Sequence, residues 1–191
     1  MRYPPNLAGI VDLFDALSEE EKRENLIAYA DGAPRCAPRP GETFDLEDVR
    51  KDEECTDTVG VFLQIDAGRR AHFRISLGPH VQTLTRAMTA ILCQGLDGAV
   101  PEEVMDVPQD FVPKIVGGQL VRVRSQTVYY ILTRMKSVCK VWLNRERAAA
   151  DFGGRISAVA KPMADRSETG KGFERRLSTR LSAIRYPLSA I

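Results

Sequence analysis

At 191 residues, with 43% hydrophobic and 28% charged side chains, the chain is long enough to bury a core without disulfides or a structural metal, and its make-up is that of a soluble globular domain with an appendage. Its four cysteines, Cys36, Cys55, Cys93 and Cys139, are too scattered for a disulfide framework, and no CxxC pair or Cys/His cluster has zinc-ligand spacing. The opening MRYPPNLAGIVDLF holds no apolar run of signal-peptide length and no stretch could span a bilayer, so a cytoplasmic protein with free thiols is expected.

The net charge of +1 hides a split. Residues 144–191 carry ten bases and five acids, whereas residues 1–143 carry seventeen bases and twenty-one acids. The body is mildly acidic and the tail is basic.

Asn6 to Leu17 reads as a short amphipathic helix, with Leu7, Ile10, Val11, Phe14 and Leu17 at helical spacing. Ser18 and Glu21 have the spacing of a capping box, opening a second helix through about Tyr29 with Leu26, Ile27 and Ala30 inward. The Pro- and Gly-rich run from Asp31 to Asp45 is expected to be a crossing loop, with Cys36 an incidental thiol inside it. Val59 to Asp66 and Ala71 to Leu77 read as two strands joined by the turn Ala67-Gly68-Arg69-Arg70, an antiparallel hairpin.

Gly78-Pro79 ends the hairpin. Val81, Leu84, Met88, Ile91 and Leu92 then form one apolar helical stripe, with Gly95 as its stop. Cys93 falls off that stripe and is expected to be partly exposed and structural. Pro101 with Glu102 and Glu103 opens a short helix through about Val107, and Asp110 to Gly118 is another short turn or helix. The last strong element runs from Ser125 to Leu143, with Val128, Ile131, Leu132, Met135, Val138, Cys139 and Trp142 on a core-facing stripe. Cys139 is there a small buried hydrophobe. Beyond Asn144 the pattern dissolves into a mobile, solvated extension, in which Phe173, Leu177, Leu181 and Ile184 could share one face of a helix over Gly172 to Ile184. The expected division is therefore a body at 1–143 and a basic tail at 144–191.

The stretch RKDEECTDTVGVFLQID, Arg50 to Asp66, sets Cys55 in a polar run directly before an apolar, β-branched strand. That order places the thiol on a loop at the mouth of a sheet, a common seat for covalent chemistry. His72 and His80 have no carboxylate or cysteine beside them in sequence. His72 reads as an edge or solvent-facing residue and His80 as a helix-start residue, and no metal site is expected.

Several segments, in this order, resemble the SufE family of sulfur-acceptor proteins: Glu24-Asn25-Leu26-Ile27, Glu54-Cys55-Thr56-Asp57-Thr58-Val59, His72-Phe73, Thr85-Arg86-Ala87-Met88, Gly95-Leu96-Asp97-Gly98, Val107-Pro108-Gln109-Asp110-Phe111 and Arg124. The resemblance covers about Leu7 to Lys140. It implies an α+β fold, a small antiparallel sheet covered by helices (SufE/NifU-like), here with an extended basic C-terminal tail.

It further implies a covalent carrier without independent turnover. Cys55 would take persulfide sulfur from a SufS-like, pyridoxal-phosphate-dependent cysteine desulfurase, stimulate that enzyme and pass sulfur to iron–sulfur scaffold proteins. The protein itself would need no cofactor, the pyridoxal phosphate belonging to the partner. Apart from the resemblance, the hydropathy predicts no membrane partner, and a solvated tail disfavours nucleic acid as one. Arg124 matches an arginine early in the family's last helix and would support the thiolate or persulfide.

The sequence departs from the family's usual pattern at three points. Asp52-Glu53-Glu54 replaces a tight turn before the cysteine, and Thr56 replaces a frequent Gln after it. Arg122-Val123 and Thr127 stand where Ser-Pro and a small residue are usual around the arginine. These departures motivate an alternative, a SufE-like interaction module that does not transfer sulfur. A third reading gives the tail a thiol-redox or nucleic-acid role.

Overall fold

The computed structural model describes residues 3–51, 58–117 and 126–159. Helix α1, Pro5–Ala16, starts on a proline whose missing N–H would have been unpaired anyway, and it buries Leu7, Val11 and Phe14 along one face. Helix α2, Glu19–Gly32, starts on the expected capping box. The Glu21 carboxylate accepts from the Ser18 amide at 2.9 Å, and the Ser18 hydroxyl accepts from the Glu21 amide at 3.4 Å. Three strands follow, β1 Leu46–Lys51, β2 Thr58–Ile65 and β3 Ala71–Leu77. They form one antiparallel sheet in the order β1-β2-β3.

The β2–β3 register pairs Val61 with Ile75 and Leu63 with Phe73, so the buried side chains of both strands share a face. Helix α3, Thr83–Gly95, is the hub: it packs against α1, α2, β3 and the last helix. Two short helices, α4 Pro101–Asp106 and α5 Phe111–Val116, lead to the long helix α6, Gln126–Val159. The fold is α+β, a small antiparallel sheet with helices. Among the described residues no helix is long and apolar enough to cross a membrane.

Several details differ from the sequence reading. Ile27, expected inward on α2 beside Leu26 and Ala30, is exposed. Strand β1 was not expected, because Leu-Glu-Asp-Val-Arg-Lys has no apolar alternation; it is an edge strand held by backbone pairing to β2. The crossing segment begins with a 3-10 turn, Ala33–Cys36, that buries Ala33 and Cys36 against the core. Cys93 is buried, not partly exposed, because neighbours surround α3 and a single apolar stripe underestimates its buried surface. The last helix does not stop at Leu143. It runs on to Val159, and Glu146 accepts from Arg69 of the β2–β3 turn at 2.7 Å. The helix considered over Gly172 to Ile184 lies outside the described residues.

Candidate functional site

Cys55 lies in the 52–57 connection between β1 and β2, and Arg124 two residues before α6; both are outside the described residues. Their supports are described. Lys51 and Thr58, the ends of the connection, are direct partners in the β1–β2 register, so the chain leaves and re-enters the sheet at adjacent points. Helix α6 packs against both strands.

Arg134 makes that junction. It is 3% exposed, and its guanidinium donates to the Val59 carbonyl at 2.8 Å, to the Asp48 carbonyl and to the Asp48 carboxylate at 3.1 Å. Asp48 also receives two bonds from Arg50, at 2.6 and 2.7 Å. Burial opposes ionisation of Asp48, but the Arg50 and Arg134 hydrogen bonds and charges outweigh it and hold its pKa below the usual value. The Tyr130 ring lies 5.5 Å from the Arg134 guanidinium. One buried cation thus clamps β1 and β2, which flank Cys55, onto the helix that Arg124 precedes in sequence.

Sequence reasoning missed Arg134. The signal was its phase: Ile131, Arg134, Met135 and Val138 fall on one buried helical face, and a charged residue at such a position requires a partner.

A second missed feature is a cavity of about 320 Å³ between the 3-10 turn, the end of β3 and α3, lined by Ala33, Pro34, Leu77, Pro79 and Arg86 among others. Leu77 pairs with Val59, so the cavity opens at the end of the sheet where β2 begins. Arg86 has no carboxylate partner among the described residues. It therefore offers a cation at the end of the sheet where β2 begins.

The remaining thiols, Cys36, Cys93 and Cys139, are free and buried. Burial first, with the Glu102 charge adding to it, pushes the Cys139 thiol up to about 12, so it is inert at neutral pH. His72 is more engaged than its sequence neighbours suggested. Its ring lies 2.8 Å from Asp97 and 3.4 Å from Asp66. Asp66 stands six residues before it across the β2–β3 turn, and Asp97, twenty-five residues after it, reaches it from the turn after α3. Burial opposes its protonation, but the two carboxylates prevail and raise its pKa. His80 is exposed. Among the described residues no three His, Cys, Asp or Glu side chains gather as metal ligands.

Residues 8–139 match the family model described as SufE, Fe-S metabolism associated domain. An uncharacterised SufE-like protein of Synechocystis sp. is 28% identical over 110 residues, a match spanning 57% of this chain and 64% of that relative, just under two thirds of its length. A hypothetical protein from Thermus thermophilus, with a structure determined in solution, aligns with a TM-score of 0.60 at 24% identity over 74% of this chain and 98% of its own, a likeness of fold. The family match extends over most of the chain, from α1 into α6, and takes in the β1–β2 connection with its cysteine: this chain belongs to the SufE family, whose domain is associated with iron–sulfur metabolism.

Proposed function

We propose that this protein accepts sulfane sulfur on Cys55 from a pyridoxal-phosphate-dependent cysteine desulfurase and delivers it towards iron–sulfur cluster assembly. The observation that carries the reading is that the family match includes a cysteine in the connection between the first two strands of the sheet. In the transfer, the Cys55 thiolate attacks the outer sulfur of the partner's cysteine persulfide. One S–S bond forms on Cys55 and one breaks at the partner, whose cysteine leaves as a thiolate, so no outside oxidant is needed.

Asp52, Glu53, Glu54 and Asp57 flank Cys55 and disfavour a second negative charge; only Arg50 and Lys51 oppose them. Arg50 is in addition already paired with Asp48. The free protein therefore carries a quiet thiol, and the docked desulfurase supplies the cations and the desolvation that activate it. Alkylation of free Cys55 is expected to run no faster than that of a model thiol; a strongly enhanced rate would refute activation by docking.

The deciding experiment is intact-mass spectrometry after incubation with a cysteine desulfurase, pyridoxal phosphate and cysteine. A reducible gain of one sulfur, about 32 Da, on Cys55 and absent in Cys55→Ser is expected. In the same assay Arg124→Ala and Arg86→Ala should lower the yield of persulfide without abolishing it. If Cys55→Ser stimulates the desulfurase as fully as the unmodified protein and no sulfur is acquired, the chain is an interaction module instead.

A further inference from the structure

A second sulfur-bearing place lies away from the β1–β2 connection. A cavity of about 680 Å³, within the usual size of small-molecule sites, opens between the 3-10 turn, the outer face of β3 and the end of α3. Cys36 from the 3-10 turn and Cys93 from α3 both line it, with Arg35, Arg74, His72 and Asp97 around them. Gln64 and Asp66 also border it. They stand at the far end of β2 from Thr58, Gln64 being about 20 Å along the strand.

The two thiols are unequal partners. The Cys93 S–H supports the Cys36 thiolate, and the Arg74 and Arg35 charges assist it against burial, bringing the Cys36 pKa down to about 7. Cys93 keeps its proton, its pKa pushed well up by the same contact and by burial. One thiol is thus a nucleophile and its neighbour a proton donor, the division of labour that thiol–disulfide exchange needs. Arg35 is exposed at the rim and has no carboxylate partner among the described residues. Asp97 supplies the opposite charge, so the walls carry both signs.

We propose that Cys36 and Cys93 form a dithiol site that reacts with the disulfide of a low-molecular-weight, zwitterionic thiol and closes to an intramolecular disulfide. In the first step the Cys36 thiolate attacks one sulfur of the small disulfide, forming a mixed disulfide and releasing one small thiolate. In the second, the Cys93 sulfur attacks the Cys36 sulfur and closes the Cys36–Cys93 bond. The second small thiol leaves carrying the Cys93 proton, so the two cysteines are oxidised by two electrons and the small disulfide is reduced. Cys55 takes no part, and the site stands or falls independently of sulfur acceptance there.

The test uses the full chain, fully reduced, in native buffer with glutathione disulfide as the probe, followed by non-reducing intact mass and peptide mapping. Loss of two hydrogens, about 2 Da, with the Cys36 and Cys93 peptides linked, is expected. In Cys93→Ser the reaction should stop at a glutathione adduct on Cys36, and Cys36→Ser should show neither product. Wild-type mapping alone decides the matter if either variant folds poorly. No linked peptide in the wild type, or adducts confined to Cys55, would overturn the site. The neutral 2-hydroxyethyl disulfide is smaller and sterically favoured, so closure at least several-fold faster with glutathione disulfide is expected; equal or slower closure would overturn recognition by the charged walls.

Discussion

Arg134 is the side chain whose loss should be felt most. Its guanidinium is the shared donor of two strands, and removing it leaves the Asp48 carboxylate, 13% exposed, and two backbone carbonyls without it. Breaking a buried ion pair on one side is costly because the groups left behind stay out of water, and the Asp48 carboxylate then keeps only the exposed Arg50 as its cation. Arg134→Ala is expected to destabilise the fold by about 3 kcal/mol, read as a lower midpoint in urea at unchanged slope. Arg134→Lys should recover part of this, since an ammonium keeps the charge but cannot serve Val59 and Asp48 in the same fork geometry. Asp48 gives this pairing a pH signature. Its folded pKa lies below the unfolded value of 3.8, so its contribution is present above about that pH and is lost as pH falls through the folded value. Asp48→Asn should remove that part of the acid-induced loss.

Among the elements, α1 and α3 approach each other unusually closely. A Cβ added at Gly95 would stand 2.9 Å from the Leu7 Cδ1 and 3.2 Å from the Leu7 Cα, and a backbone cannot yield as a flexible side chain can. Alanine would gain up to about 1 kcal/mol of helix propensity. It would also force the two helices apart in a packed core, a strain of about 1–3 kcal/mol. Gly95→Ala is therefore expected to be net destabilising by about 1 kcal/mol, measured by thermal unfolding, and Leu7→Ala combined with it should relieve part of the clash. The sequence marked Gly95 as a helix stop. It does end α3, yet the reason it must be glycine is its contact with a residue nearly ninety positions away.

Over the whole molecule, the β2–β3 turn gathers distant segments. Arg69 donates to Glu102 of α4 at 3.0 Å and to Glu146 of α6 at 2.7 Å, and lies 5.7 Å from the Trp142 ring. His72 beside the turn binds Asp97 and Asp66. Because its folded pKa is raised above 6.5, the stabilisation from this contact is fully present below pH 6.5 and fades as pH rises through the folded value. His72→Gln should flatten the stability profile across that window, as measured by urea midpoints at a series of pH values. Helix α6, 34 residues and about 50 Å long, carries this tie beyond the point where its apolar stripe ends at Leu143. The Arg69–Glu146 ion pair continues to hold it where hydrophobic periodicity has stopped.

Local patterning determined a good deal by itself. The Ser18–Glu21 spacing dictates the start of α2, the alternation from Ala71 to Leu77 dictates β3, and the apolar stripe from Val128 to Trp142 dictates the buried face of α6. All three are interactions between near neighbours in the chain. Seven segments from Glu24 to Arg124, in their order along the chain, also carried the family. Only the tertiary structure decided the rest. Strand β1 exists because β2 offers it backbone partners, and its own side chains carry no such instruction. Arg134 is buried because Asp48 and Val59 lie over it, 86 and 75 residues away. Cys36 and Cys93 meet because a 3-10 turn packs on the central helix. Each of these depends on groups brought together across the fold, whose energies arise only once the chain has closed on itself.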